Sequence, residues 1–165
     1  WEKKGRFKGL KLAWSGDPWN VCHSLMVGCG LLGIDMYMAF PKGYDPHPTV
    51  LRFASEAAAA NKTKMVVTRK LEEAVEGADV VVANVFFSMA HDSEKENRKK
   101  DFAKYQINAK AVARAKKDYL FMHCGPAYPG VEVTPEIIDG PHSAYYDEAE
   151  NRMHTQKAVL ALFCS

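Results

Sequence analysis

The sequence predicts an α/β fold, a three-layer αβα sandwich built on a doubly wound parallel sheet, and three observations predict it. Short apolar runs alternate with longer helical patterns from end to end, which calls for helices on both faces of a sheet. The runs are nearly continuous, as in Val80-Val81-Val82-Ala83, the pattern of parallel strands buried on both faces. Glycine and proline fall where the pattern needs stops. At 165 residues and 47% hydrophobic, residues 1–165 suffice for a single domain with a sizeable core and are too few for two.

The first strand is expected over residues 10–15 (LKLAWS), followed by a helix over 21–32 that Gly33 stops. A second strand, 36–40, runs into the Pro41-Lys42-Gly43 turn, and a helix over 49–61 contains the good helix formers Ala57 to Ala60. A third strand, 64–68, leads to a short helix over 71–76 stopped by Gly77, and the fourth strand covers 80–84. Helices over 94–105 and 109–115 precede a fifth strand at 120–123. Beyond it come a short helix at 135–139, a weaker strand at 143–146 and a helix over 148–162. Right-handed crossovers from a central first strand give the Rossmann-like order of about 3-2-1-4-5. Ligands of such sheets bind beyond the carboxyl ends of the strands, where the order reverses. The loops after Ser15, Asn84 and His123 are therefore the candidates.

Twenty-two Lys and Arg against 20 Asp and Glu leave a net charge of +2, with the signs interspersed. This balance calls for no nucleic-acid and no membrane partner. The densest charged run, Asp92 to Lys100, alternates signs as a solvated helix face does. Cysteines 22, 29, 124 and 164 have neither metal-ligand spacing nor the density of a disulfide framework. A reducing, cytoplasmic location is expected. No apolar run approaches the roughly 20 residues of a membrane span, and Trp1-Glu2-Lys3-Lys4 does not resemble a signal peptide. The abrupt start suggests a fragment.

Gly28-Cys29-Gly30-Leu31-Leu32-Gly33 matches the G-x-G-x-x-G dinucleotide fingerprint in letters but not in position. The fingerprint places its first glycine in the turn directly after a strand, whereas about a dozen residues intervene here. No acidic residue closes the second strand. Close helix packing accounts better for Gly28 and Gly30.

The loop Ser15-Gly16-Asp17-Pro18-Trp19-Asn20 ends at a helix start, where Asn20 either caps the helix or presents its amide to a ligand carboxylate or phosphate. Asn84-Val85-Phe86-Phe87-Ser88-Met89 sets small polar groups beside aromatics, which suits orienting an amine or carboxylate; alternatively Phe86, Phe87 and Met89 are core. Cys124, before Gly125-Pro126, has no base fixed near it by sequence, and a lone cysteine is usually an inert small hydrophobe.

Taken in order, these segments are similar to the ornithine carbamoyltransferase family across nearly the whole chain. The family's G-D-x-N-N-x-x-H-S resembles residues 16–24, with Trp19 for the first Asn, and P-x-G-Y resembles Pro41-Lys42-Gly43-Tyr44. D-x-W-x-S-M resembles residues 84–89, with Asn84 for Asp and Phe86 for Trp. H-C-L-P resembles His123-Cys124-Gly125-Pro126, with Gly125 for Leu, and D-E-A-E-N-R-x-H-x-Q-K-A stands nearly intact at 147–158.

The resemblance implies transfer of the carbamoyl group of carbamoyl phosphate to the side-chain amine of ornithine or a related amine, as in arginine biosynthesis and the urea cycle. It implies no cofactor and no metal. Asn20, Asn84, Ser88 and Met89 would hold the acceptor, and Cys124 and Gly125 would line the pocket beside the attacking amine. Arg152 would reach the carbamoyl phosphate, its donor fork suiting an oxyanion. Cys124 and Arg152 are thus the expected catalytic residues.

Asn84 lacks the charge with which the family's Asp would pair the acceptor's ammonium, and Gly125 and Trp19 reshape the walls. The family's S-x-R-T and H-P-x-Q segments of an N-terminal carbamoyl-phosphate domain do not occur in these 165 residues. The domain alone is therefore expected to be inactive, with the full enzyme a homotrimer or higher. A transcarbamylase-like domain that has lost catalysis for a regulatory role is the alternative, and a nucleotide-binding domain the third.

Overall fold

The structure, a computed structural model, describes residues 1–87 and 93–164. Its sheet has five parallel strands in the order β3-β2-β1-β4-β5: β1 (Lys11–Ser15), β2 (Asp35–Ala39), β3 (Met65–Thr68), β4 (Val80–Ala83) and β5 (Leu120–His123). The expected order and class both hold. Every residue of β4 is buried, as its unbroken valine run requires.

Helices α1 (Asn20–Leu32) and α2 (Pro48–Ala60) pack on each other, while α3 (Leu71–Val75) packs on β1, β2 and α5 (Ala109–Val112). α4 (Lys95–Phe102) runs on into a 3-10 turn at Ala103–Tyr105. α6 (Pro135–Ile138) and α7 (Tyr145–Phe163) follow β5. The core gathers Trp14, Met26, Met36, Met38, Phe40, Phe86, Phe102 and Phe121, each almost fully buried.

Two expectations need correcting. Residues 143–146 form no strand: Ser143 makes a single parallel bridge to Phe121, and Tyr145 already opens α7. The charged, helix-favouring residues from Asp147 onward draw the segment into the helix. The charged face of α4 has one exception to its solvation, Arg98, which is buried.

The displaced glycines lie inside α1, and Gly33 caps it in the left-handed conformation at φ 72°. Packing explains Gly30, where a Cβ would stand 2.7 Å from the Ala54 carbonyl oxygen of α2. It does not explain Gly28, where a Cβ would meet nothing within 4 Å. Gly30→Ala should therefore destabilise the domain by about 1–3 kcal/mol through overpacking. Gly28→Ala should stabilise it by up to about 1 kcal/mol through helix propensity. Denaturant midpoints of the two variants check the contrast.

Candidate functional site

The register of the sheet builds the site. Ser15 stands opposite Ala83, and Ala83 opposite His123, so the chain leaves β1, β4 and β5 at one level. The next residues, Gly16, Asn84 and Cys124, thus rim a single crevice at the point where the strand order reverses.

At the β1 side the backbones nearly touch. A Cβ on Gly16 (φ 140°) would lie 2.8 Å from the Asn84 Cβ and closer still to its carbonyl oxygen, so only glycine fits. The Asp17 N–H donates to the Val85 carbonyl at 2.9 Å. The Asp17 carboxylate is buried and accepts from Arg98 Nη1 at 3.0 Å, while Arg98 Nε donates to Glu94 at 2.8 Å. The same guanidinium lies 5.0 Å from the centre of the Tyr44 ring, whose hydroxyl donates to Asp101 at 2.6 Å.

On the other side of the first loop, His23 Nε2 accepts from the His47 N–H at 3.0 Å. An imidazole accepting there is unprotonated at Nε2, consistent with a pKa lowered by burial and by the neighbouring His47. Asp17, Arg98 and His23 are the supporting residues to which the sequence pattern gave no role. Asp17 and His23 stood within the matched motif; Arg98 was hidden in the charged run.

Asn20 is the first residue of α1 and is exposed. Trp19 takes the N-cap position, with no side-chain capping bond, so Asn20 is not the cap and its amide is bonded to no described residue. Asn84 is buried, and its Oδ1 accepts from the Cys124 thiol at 3.2 Å. Phe86 and Phe87 are core: Phe86 stacks on Phe102 at 5.2 Å, and Phe87 lies 5.7 Å from Tyr128. Ser88 and Met89 lie outside the described residues.

The Cys124 loop is fixed from below. His123 is buried, with Nδ1 accepting from the Gly125 N–H at 2.9 Å and Nε2 3.2 Å from Glu132 Oε1. Glu132, fully buried, also accepts from the Tyr128 N–H at 2.6 Å. From α7, Glu148 accepts the His123 N–H at 2.9 Å, and burial raises its pKa. Gly125 has φ 66° and precedes a cis peptide bond to Pro126.

The imidazole thus faces away from the sulfur and cannot act as its base. Burial pushes the Cys124 thiol's pKa up and Glu148 adds to this, while a backbone hydrogen bond and Arg152 oppose it. The group at the rim is a protonated thiol, suited to lining a pocket. Arg152 is exposed on α7, two turns in from the helix start rather than at it, and pairs with no described carboxylate.

The structure therefore brings Asn84, Cys124 and Gly125 together, with Arg152 within electrostatic reach, and sets Asn20 on the adjoining helix. These groups stand at the carboxyl edge of a parallel sheet, the place where doubly wound α/β domains bind small molecules.

Residues 8–163 match the model of the aspartate/ornithine carbamoyltransferase Asp/Orn binding domain, and the chain belongs to that family. It is 48% identical over 161 residues to the ornithine carbamoyltransferase of Carboxydothermus hydrogenoformans, covering 98% of this chain and 52% of that protein. It is also 48% identical over 162 residues to that of Pyrococcus horikoshii, covering 98% and 51%. Among solved structures, ornithine carbamoyltransferase from Pyrococcus furiosus superposes with a TM-score of 0.93 at 46% identity, covering 98% of this chain and 52% of that one. The enzyme from Gloeobacter violaceus gives 0.88 at 41%, covering 97% and 53%. The chain spans about half the length of the relatives it matches.

Two measurements probe this arrangement. Arg98→Met, which removes the buried guanidinium from the Asp17 carboxylate, should cost about 3–5 kcal/mol in a denaturant titration. Alkylation of Cys124, followed by peptide mass spectrometry across pH, should rise only above the range of a free thiol, because burial raises its pKa.

Proposed function

We propose that this chain is the acceptor-binding half of a carbamoyltransferase, which transfers the carbamoyl group of carbamoyl phosphate to the side-chain amine of ornithine or a related amine. With ornithine the products are citrulline and phosphate. The observation that carries this reading is the convergence of Asn84, Cys124 and Gly125 on one rim, with an uncommitted guanidinium, Arg152, on the helix beside it.

The reaction is attack by an uncharged amine nitrogen on the carbamoyl carbon, with phosphate leaving. It needs orientation and charge stabilisation rather than a protein nucleophile. Asn20, Asn84, Ser88 and Met89 hold the acceptor. The Cys124 thiol and the Cys124–Gly125 backbone line the space around the attacking nitrogen and the carbamoyl amide. Arg152 directs its donors at the oxyanion that develops as the carbonyl is attacked. The raised thiol pKa supports this division of labour, since a thiolate here would compete with the amine as nucleophile.

The carbamoyl-phosphate site belongs, in this reading, to an N-terminal domain corresponding to the other half of the relatives. The exposure of Val159, Leu160, Leu162 and Phe163 along the end of α7 supports it, because so apolar a surface suits a covering domain. An apolar cavity of about 510 Å³ between residues 1–7, α1 and α7 offers a second contact area. The active enzyme is a homotrimer or larger, and the isolated domain is inactive.

The test is carbamoyl transfer by the complete enzyme over a panel of amines. Asn84→Asp should raise kcat/KM for ornithine by about tenfold, since a charge-assisted bond replaces a neutral contact. Transfer to no amine would favour the regulatory reading instead.

A further inference from the structure

Two titratable side chains are shut beneath the Cys124 loop: His123 is 1% exposed and Glu132 not at all. Burying such groups is costly unless hydrogen bonds compensate, so the partners they take are informative. His123 Nδ1 accepts from the Gly125 N–H, two residues further on, at 2.9 Å. A ring nitrogen that accepts carries no hydrogen, so the imidazole proton sits on Nε2, 3.2 Å from Glu132 Oε1. Glu132 Oε1 is held in turn by the Tyr128 N–H at 2.6 Å. The ring also meets Tyr145 edge-on at 6.0 Å, and the His123 backbone N–H is taken by Glu148. These contacts leave the imidazole one tautomer and one place.

What the imidazole grips is a peptide plane. In a trans peptide the C=O and the N–H that follows it point in opposite directions. The Cys124–Gly125 bond is trans, and its N–H is directed at the buried ring. The Cys124 carbonyl is therefore directed away from that ring, and it accepts from no described residue. Buried carbonyls are almost always paired, so this one is left as an acceptor for something outside the domain's own backbone. A carbamoyl group brings an NH2 with two hydrogens to donate.

We infer that His123 is a positioning residue of the carbamoyl site: with its tautomer set by Glu132, its Nδ1 fixes the Cys124–Gly125 peptide so that the Cys124 carbonyl accepts from the carbamoyl NH2. This inference rests on the carbamoyltransferase reading and deepens it at the same site.

The experiment uses the complete enzyme and two isosteres of the ring. In His123→Asn the amide oxygen takes the place of Nδ1 and can accept from the Gly125 N–H, as asparagine does in an Asx turn. In His123→Gln the amide lies one bond further out, near the place of Nε2, and nothing replaces Nδ1. His123→Gln should raise KM for carbamoyl phosphate about tenfold, with kcat and KM for the amine changed by less than about threefold. His123→Asn should stay within about threefold of the unsubstituted enzyme in all three constants. A packing role alone predicts the opposite order, because asparagine leaves the larger cavity. Denaturant midpoints should fall further for His123→Asn, so that a KM defect confined to His123→Gln cannot come from instability. If His123→Gln is no worse than His123→Asn, or if its loss falls on the amine, the inference fails while carbamoyl transfer by the unsubstituted enzyme keeps the reading. If the unsubstituted enzyme carbamoylates no amine, both fall.

Discussion

The carboxyl ends of β1 and β4 approach so closely that one residue, Gly16, has no room for a side chain against Asn84. Much of the site follows from that contact. It lets the Asp17 N–H reach the Val85 carbonyl, tying the first loop to the fourth, and it sets the buried Asp17 carboxylate where Arg98 closes over it. Arg98 then draws Tyr44 and Glu94 together, so the second loop and α4 are held by the same pair. Below them, the Ser15 hydroxyl donates to the Tyr105 carbonyl, and the Tyr105 hydroxyl donates to the carbonyls of Phe40 and Arg69. A buried ion pair of this kind contributes little net stability, but the loss of either member is costly. Its effect is to fix which loops meet.

The rim built on this base is electrically quiet. His123 and Glu132 are buried beneath it, and His123 Nδ1 and Glu132 Oε1 accept from the Gly125 and Tyr128 amides, which orients the loop. The Cys124 thiol donates to Asn84 Oδ1. Arg152 is the cation that remains unpaired among the described groups near the rim. Such a surface does not activate a nucleophile of its own.

Much of this was legible in the sequence because the fold is written in local signals. The valine run of β4, the stop at Gly33 and the turn at Pro41 each announce an element, and right-handed crossovers then leave few topologies. The loops that carry the site were legible for the same reason, since a doubly wound sheet has one reversal point. What escaped was pairing across distance. Arg98 and Asp17 are 81 residues apart, and nothing in an alternating charge run marks one arginine as buried. The β-favouring neighbours of Tyr145 predict a weak strand, whereas the helix that follows claims it. Gly28 and Gly30 look alike in sequence and differ only in what faces them.

Helix α7 joins two regions that otherwise have little to do with each other. An α-helix of 19 residues is about 28 Å long. Its first turns carry Tyr145, Glu148 and Arg152 along the rim, and its last carry the uncovered Leu160, Leu162 and Phe163. Because a continuous helix resists bending, it acts as a lever: whatever seats the far end sets the angle of the near one. A rotation of a few degrees about Glu148 moves little at the rim but swings the tip by more than an ångström.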